Sequence, residues 1–162
     1  MPESTFRLAR LLALLVPGLL MAGALGSQVF GGLIPCEMCH WQRWPHYTAI
    51  GLAILAFGLP GAGLRRVLVA LAGFAILTSG AIGVFHAGVE YHWWQGITPC
   101  STSIGGGGTA EDMLARIMKA PIIRCDAAQW TLAGISLAGF NAIFSISGAL
   151  GIFALLLRRN AR

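Results

Sequence analysis

The sequence predicts an all-α membrane protein: a four-transmembrane-helix bundle with both termini cytoplasmic and a short horizontal helix in the second periplasmic loop. Three observations lead there. The 162 residues are 56% hydrophobic and 10% charged, against about 25% charged in soluble domains. Four apolar stretches, at about 11–34, 44–63, 67–89 and 132–157, reach the roughly 20 residues needed to cross about 30 Å of hydrocarbon. Finally, the basic residues collect at alternate ends of those stretches, as expected when Lys and Arg stay on the cytoplasmic side.

The first stretch, Leu11 to Ile34, follows Arg7 and Arg10. A cleaved signal peptide competes here, because Ala22-Gly23-Ala24 resembles a small-residue cleavage site. The apolar run continues well past it, beyond the usual length of about 7–15 residues, which favours an uncut helix. Pro60-Gly61-Ala62-Gly63 and Arg65-Arg66 break and restart the chain, so the second and third stretches form an antiparallel hairpin with a short cytoplasmic turn. Arg158, Arg159 and Arg162 follow the fourth. Seven of the eleven basic residues thus share one side, and the net charge of +5 is a topology signal. No basic patch interleaved with aromatics points to nucleic acid. The whole is read as one transmembrane domain, 1–162, with periplasmic loops at about 35–43 and 90–131.

Small residues recur along the spans and predict close helix packing. Trp41, Trp44, Tyr47, Tyr91, Trp93, Trp94 and Trp130 read as an interfacial belt contacting membrane lipid. In the second loop Thr109 can cap a short helix. Its stripe of Met113, Leu114, Ile117 and Met118 would lie on the membrane or pack on the bundle.

The four cysteines, Cys36, Cys39, Cys100 and Cys125, all fall on the predicted outer side. An even number facing an oxidising compartment reads first as disulfides. A structural Cys100–Cys125 bridge would restrain the Gly-rich loop by roughly 3 kcal/mol in the chain-entropy model. Four cysteines could instead hold zinc, although structural sites usually supply two close pairs. Cys36-Glu37-Met38-Cys39-His40 also matches the haem-attachment pattern Cys-x-x-Cys-His, which opens the reading of a membrane c-type cytochrome. A third reading is a structural four-helix membrane protein with inert disulfides. The redox reading rests on neighbours. If the second helix begins near Cys36, then Cys36, Cys39 or His40, and Arg43 share one face. A thiolate at a helix N-terminus beside an Arg has a lowered pKa. Arg43 can equally be an interfacial anchor. His86 lies inside the third stretch, where an ionisable group is costly and functional by default, and Glu90 four residues on could fix its tautomer.

These residues, in this order, resemble the DsbB family of bacterial disulfide-bond-formation membrane proteins. The likeness is carried by Cys36-x-x-Cys39-x-x-x-Arg43, by Phe85-His86-Ala87-Gly88-Val89-Glu90, by one cysteine in each half of the second loop, and by Trp130-x-x-x-Gly134-Ile135-Ser136 leading to Asn141. Vitamin K epoxide reductase relatives carry their Cys-x-x-Cys late in the chain, whereas here it is early. The resemblance implies a protein dithiol:quinone oxidoreductase of the bacterial inner membrane, with its cysteines facing the periplasm. Cys36 and Cys39 would form the disulfide reoxidised by a membrane quinone, ubiquinone or menaquinone. Cys39 would contact the ring, and Arg43 and His86 would polarise its oxygens. Cys100 and Cys125 would form the loop disulfide attacked by a reduced periplasmic thioredoxin-fold partner of the DsbA type, Cys125 then exchanging with Cys36. Glu37 departs from the family pattern, since an acid between the two cysteines would raise their pKa and oppose Arg43.

Overall fold

The computed structural model describes residues 3–98, 109–111, 114, 118 and 123–158. Four long helices account for most of them: α1 (Glu3–Val29), α2 (Glu37–Gly58), α3 (Ala62–Glu90) and α4 (Leu137–Leu157). By length and composition α1, α3 and α4 can each cross a membrane. α2 has 22 residues, about 33 Å at 1.5 Å per residue, but its first half carries Glu37, His40, Gln42, Arg43 and His46. Those residues lower its hydropathy without making it a surface helix. Its buried positions are Met38, Gln42, His46, Ala49, Ala53 and Ala56, a stripe at helical spacing, so two of the polar side chains point into the bundle.

The helix ends differ from the apolar runs for local reasons. α1 stops at Val29, short of Ile34, where Gly31 and Gly32 follow and Gly32 takes a positive φ of 65°. α2 begins seven residues before the apolar run at Trp44, because Cys36 supplies an N-cap. Between α2 and α3 the turn uses Gly61 at φ 95°. Ahead of α4, residues 131–136 form a two-residue hairpin, β1 (Thr131–Leu132) and β2 (Ile135–Ser136), turning through Ala133 and Gly134 at φ 51° and 78°. Positive φ at both turn residues is the type that matches strand twist. Ser136 then caps α4 by accepting from the Gly139 amide at 3.1 Å.

Contacts run mainly α3 to α4, α2 to α3, α1 to α4 and α1 to α2, which closes a four-helix ring. Arg10 at the start of α1 donates to the Ala56 carbonyl at the end of α2 at 3.3 Å. At the opposite end, the Tyr91 hydroxyl after α3 donates to the Gly134 carbonyl and accepts from the Ser136 amide, both at 2.9 Å. Arg7, Arg10, Arg65, Arg66 and Arg158 therefore lie at one end, and Cys36, Cys39 and Cys125 at the other. The apolar core of Phe6, Ala13, Ala53, Val69, Ile76 and Ile152 fills the arginine end. A smaller cluster of Cys36, Met38, Val89 and Cys125 fills the cysteine end. Of the amphipathic helix expected after Thr109, positions 110, 111, 114 and 118 are helical, and the rest lies outside the described residues. Cys100 lies outside them as well.

Candidate functional site

The site begins with a helix cap. Cys36 sits in extended conformation at the start of α2, and its sulfur accepts from the Cys39 amide at 3.4 Å. Capping brings the two sulfurs to 3.1 Å. Both precede the apolar part of α2. The hydrogen bond with Cys39 and then burial push the Cys36 thiol far above its ordinary range. The hydrogen bond from Cys36 holds the Cys39 thiol below it, against desolvation and the Glu90 charge and with help from Arg43. The two sulfurs are polarised in opposite directions, which makes Cys39 the more acidic thiol of the pair. Glu37, expected to supply the opposing charge, is exposed, and the acid acting on Cys39 is Glu90.

His86 comes from α3. It is 2% exposed, with Nε2 at 3.5 Å from Cys36 Sγ and Nδ1 at 2.7 Å from Gln42 Nε2. Glu90 Oε1 stands 3.8 Å from His86 Nε2, too far to fix the ring by a hydrogen bond. The contact that can fix it comes from Gln42. Behind Gln42 a polar network crosses three helices, in which Asn141 of α4 reaches Gln42 Oε1 at 2.7 Å and the Ser79 carbonyl at 3.2 Å. Ser79 donates to the Gln42 carbonyl at 2.8 Å, His46 lies 2.9 Å from Asn141 Oδ1, and Ser145 donates to that same oxygen at 2.9 Å. Buried polar groups of this kind are costly unless paired, and each of these is paired except His46 Nδ1, which has no partner among the described residues.

Arg43 donates to Gln28 Oε1 at 2.9 Å and to the Ala24 carbonyl at 3.4 Å. It therefore bridges α2 to α1. A cavity of about 210 Å³ lies among the four helices and is lined by Cys36, Cys39, Gln42, Arg43, His86 and Asn141 at its polar end. Leu19, Leu20, Met21, Leu137 and Phe140 form apolar wall. Cys36, Cys39, Arg43 and His86, singled out from sequence, are all brought to this one space. Cys36, Cys39 and His86 also offer three ligand atoms within 4.8 Å of one another, a set that could hold a soft cation.

Cys125 closes the site from the second loop. It is fully buried and packs in the cluster that contains Cys36. Thr98 Oγ1 donates to its sulfur at 3.5 Å. Gln129 holds the two loops together, accepting from the Ile34 amide at 3.0 Å and donating to the Ile34 carbonyl at 2.6 Å. This strand-like clamp sits two residues from Cys36. Beside Cys125, Arg124 and Asp126 pair through two bonds at 2.8 and 2.6 Å. The guanidinium of Arg124 keeps the Asp126 carboxyl below the usual range. His40, the residue that completed the haem pattern, is exposed.

Sequence reasoning missed Gln42, Ser79 and Ser145, and it valued Asn141 only as part of a pattern. Their signal was a polar side chain at helical spacing inside an apolar run. For Gln42 the spacing is three residues after Cys39 and four before His46.

Fold and site together define a helical membrane protein that presents a buried, polarised dithiol at one end of its bundle. The comparisons narrow that class. The family described as disulfide bond formation protein DsbB matches residues 6–156. Disulfide bond formation protein B of Verminephrobacter eiseniae (strain EF01-2) is 32% identical over 157 residues, covering 88% of this chain and 82% of that protein. No solved structure matches. The chain belongs to the DsbB family, and its general role is that of a disulfide-forming oxidoreductase.

Proposed function

We propose that the chain is a quinone-dependent thiol oxidase of the bacterial inner membrane, folded as a single transmembrane domain. It reoxidises a periplasmic, thioredoxin-fold protein of the DsbA type by disulfide exchange and passes the electrons to membrane quinone, ubiquinone or menaquinone. The observation that carries this reading is one shared space. The paired sulfurs of Cys36 and Cys39 line the same cavity as Arg43 and His86, while Cys125 is buried against Cys36. The gathering of Arg7, Arg10, Arg65, Arg66 and Arg158 at the far end supports a cytoplasmic position for that end.

The cavity fits a flat, weakly polar ring. Its leucine, methionine and phenylalanine walls suit the faces, and Arg43 supplies donors for ring oxygens with His86 beside it in the same lining. When bound, a quinone supplies an acceptor for two electrons and two protons. The chain's own residues do the rest. A thiolate of the partner attacks Cys100 and releases Cys125 as thiolate. Cys125 then attacks Cys36 of the Cys36–Cys39 disulfide, and Cys39 leaves. The partner's second thiolate displaces Cys100 and departs oxidised, Cys100 re-forms the loop disulfide with Cys125, and Cys36 is freed. Two electrons and two protons from the partner now reside on Cys36 and Cys39. The lowered pKa of Cys39 makes it the better leaving sulfur of the two.

Turnover of reduced thioredoxin-fold partner with a soluble ubiquinone analogue is the test. Cys36→Ser and Cys39→Ser should each abolish quinone reduction while the helical spectrum is retained. Full turnover in either variant would contradict the proposal.

A further inference from the structure

We propose that Gln42 is a positioning residue for the thiol chemistry: its amide holds His86 as an Nε2–H donor aimed at the Cys36 sulfur. The inference deepens the thiol-oxidase reading and rests on it for its kinetic arm. The tautomer of His86 follows from groups whose hydrogen-bonding roles are unambiguous. A backbone carbonyl can only accept. The Ser79 carbonyl lies 3.2 Å from Asn141 Nδ2, so that side of the Asn141 amide is its NH₂. Two further contacts agree, because Asn141 Oδ1 faces Ser145 Oγ and His46 Nε2, each at 2.9 Å. The NH₂ of Asn141 also reaches Gln42 at 2.7 Å, and the atom it meets must be Oε1. The other side of the Gln42 amide is then NH₂, consistent with the Met38 carbonyl 3.2 Å from it.

That NH₂ lies 2.7 Å from His86 Nδ1. A donor cannot face a donor, so Nδ1 is bare and the ring proton of neutral His86 sits on Nε2. Nε2 is 3.5 Å from Cys36 Sγ. The Cys36 sulfur thus receives two donors, the His86 ring and the Cys39 amide at 3.4 Å. Donors run in one direction from Asn141 through Gln42 and His86 to Cys36, and hydrogen bonds aligned in this way reinforce one another. Both donors stabilise negative charge on the Cys36 sulfur itself, which is freed as a thiolate when Cys100 re-forms the loop disulfide with Cys125. The same tautomer denies a soft metal the Nε2 lone pair that the Cys36, Cys39 and His86 grouping would otherwise offer.

Two measurements on the full chain test this. The first is the ring ¹⁵N spectrum of the reduced, ¹⁵N-histidine-labelled protein in lipid nanodiscs, with His86 assigned by its loss in His86→Ala. A bare Nδ1 and a protonated Nε2 are expected; a protonated Nδ1 would overturn the proposal without any variant at Gln42. The second is a double-mutant cycle on partner-to-quinone turnover. Gln42→Leu should lower kcat about tenfold, the loss expected for one buried hydrogen bond, with the partner KM unchanged. In the His86→Ala background the same substitution should change nothing further. An equal loss in both backgrounds would make Gln42 a packing residue and overturn the proposal. A wild-type chain that fails to reduce quinone would count against the oxidase reading alone, since the tautomer is read without turnover.

Discussion

Arg43 can be an anchor or a participant, and its contacts allow both to be measured. Its guanidinium ties α2 to α1 through Gln28 and the Ala24 carbonyl and also lines the cavity beside Cys39. Arg is costly to leave half-paired near a bilayer, so the contacts to α1 orient it. Its charge helps hold the Cys39 thiol low. Arg43→Ala should therefore raise the quinone KM and lower kcat, while single-turnover oxidation of the partner by the pre-oxidised chain is less affected. Stopped-flow thiol assays with and without quinone separate the two. Unchanged steady-state constants would leave Arg43 as an anchor only. At this scale Cys36, Cys39, Arg43 and His86 were legible because each is a chemically distinctive residue in an apolar setting. Gln42 was not, since an amide next to Arg43 at a helix start reads as interfacial polarity. Only the three-dimensional path from Asn141 to His86 gives it meaning.

Among elements, α3 approaches α4 closely at Gly83. A Cβ at Gly83 would meet the Ala138 carbonyl oxygen and the Ala142 amide nitrogen, both at 3.0 Å, so backbone and not a flexible side chain would have to yield. Such overpacking costs about 1–3 kcal/mol. Gly83→Ala should lower the thermal midpoint in detergent, and Gly51→Ala, where a Cβ would meet nothing within 4 Å, should not. Equal midpoints for the two variants would contradict the close approach. Because Asn141 lies on the α4 face that Gly83 admits, the first substitution should also reduce turnover. Helix existence and order were legible from hydropathy, but helix ends were not. Hydropathy reports where lipid can be, whereas the ends are set by Gly32, by the Cys36 cap and by the hairpin at 131–136, features of one or two residues each. α2 shows the difference most clearly. Half of it is polar, and only burial of Met38, Gln42 and His46 on one stripe reconciles that polarity with a helix inside the bundle.

The molecule as a whole separates two tasks along its length. Ala-rich and Ile-rich packing at the arginine end holds the ring of helices together. The cysteine end has a cavity where packing gives way to paired polar groups. Gln129 ties the second loop to the first at Ile34, and Tyr91 ties the end of α3 to the hairpin ahead of α4, which keeps Cys125 beside Cys36. The separation places a stable scaffold under a site whose sulfurs must exchange partners. The most direct test of the proposed electron path is a thiol-trapping measurement. The fully reduced, purified chain is held without oxygen, mixed with a stoichiometric ubiquinone analogue, quenched in acid, alkylated and mapped by mass spectrometry. The account predicts a Cys36–Cys39 disulfide formed one-for-one with quinol, and none without the analogue. Cys36 and Cys39 remaining as free thiols while the quinone is consumed, or the quinone remaining unreduced, would contradict it.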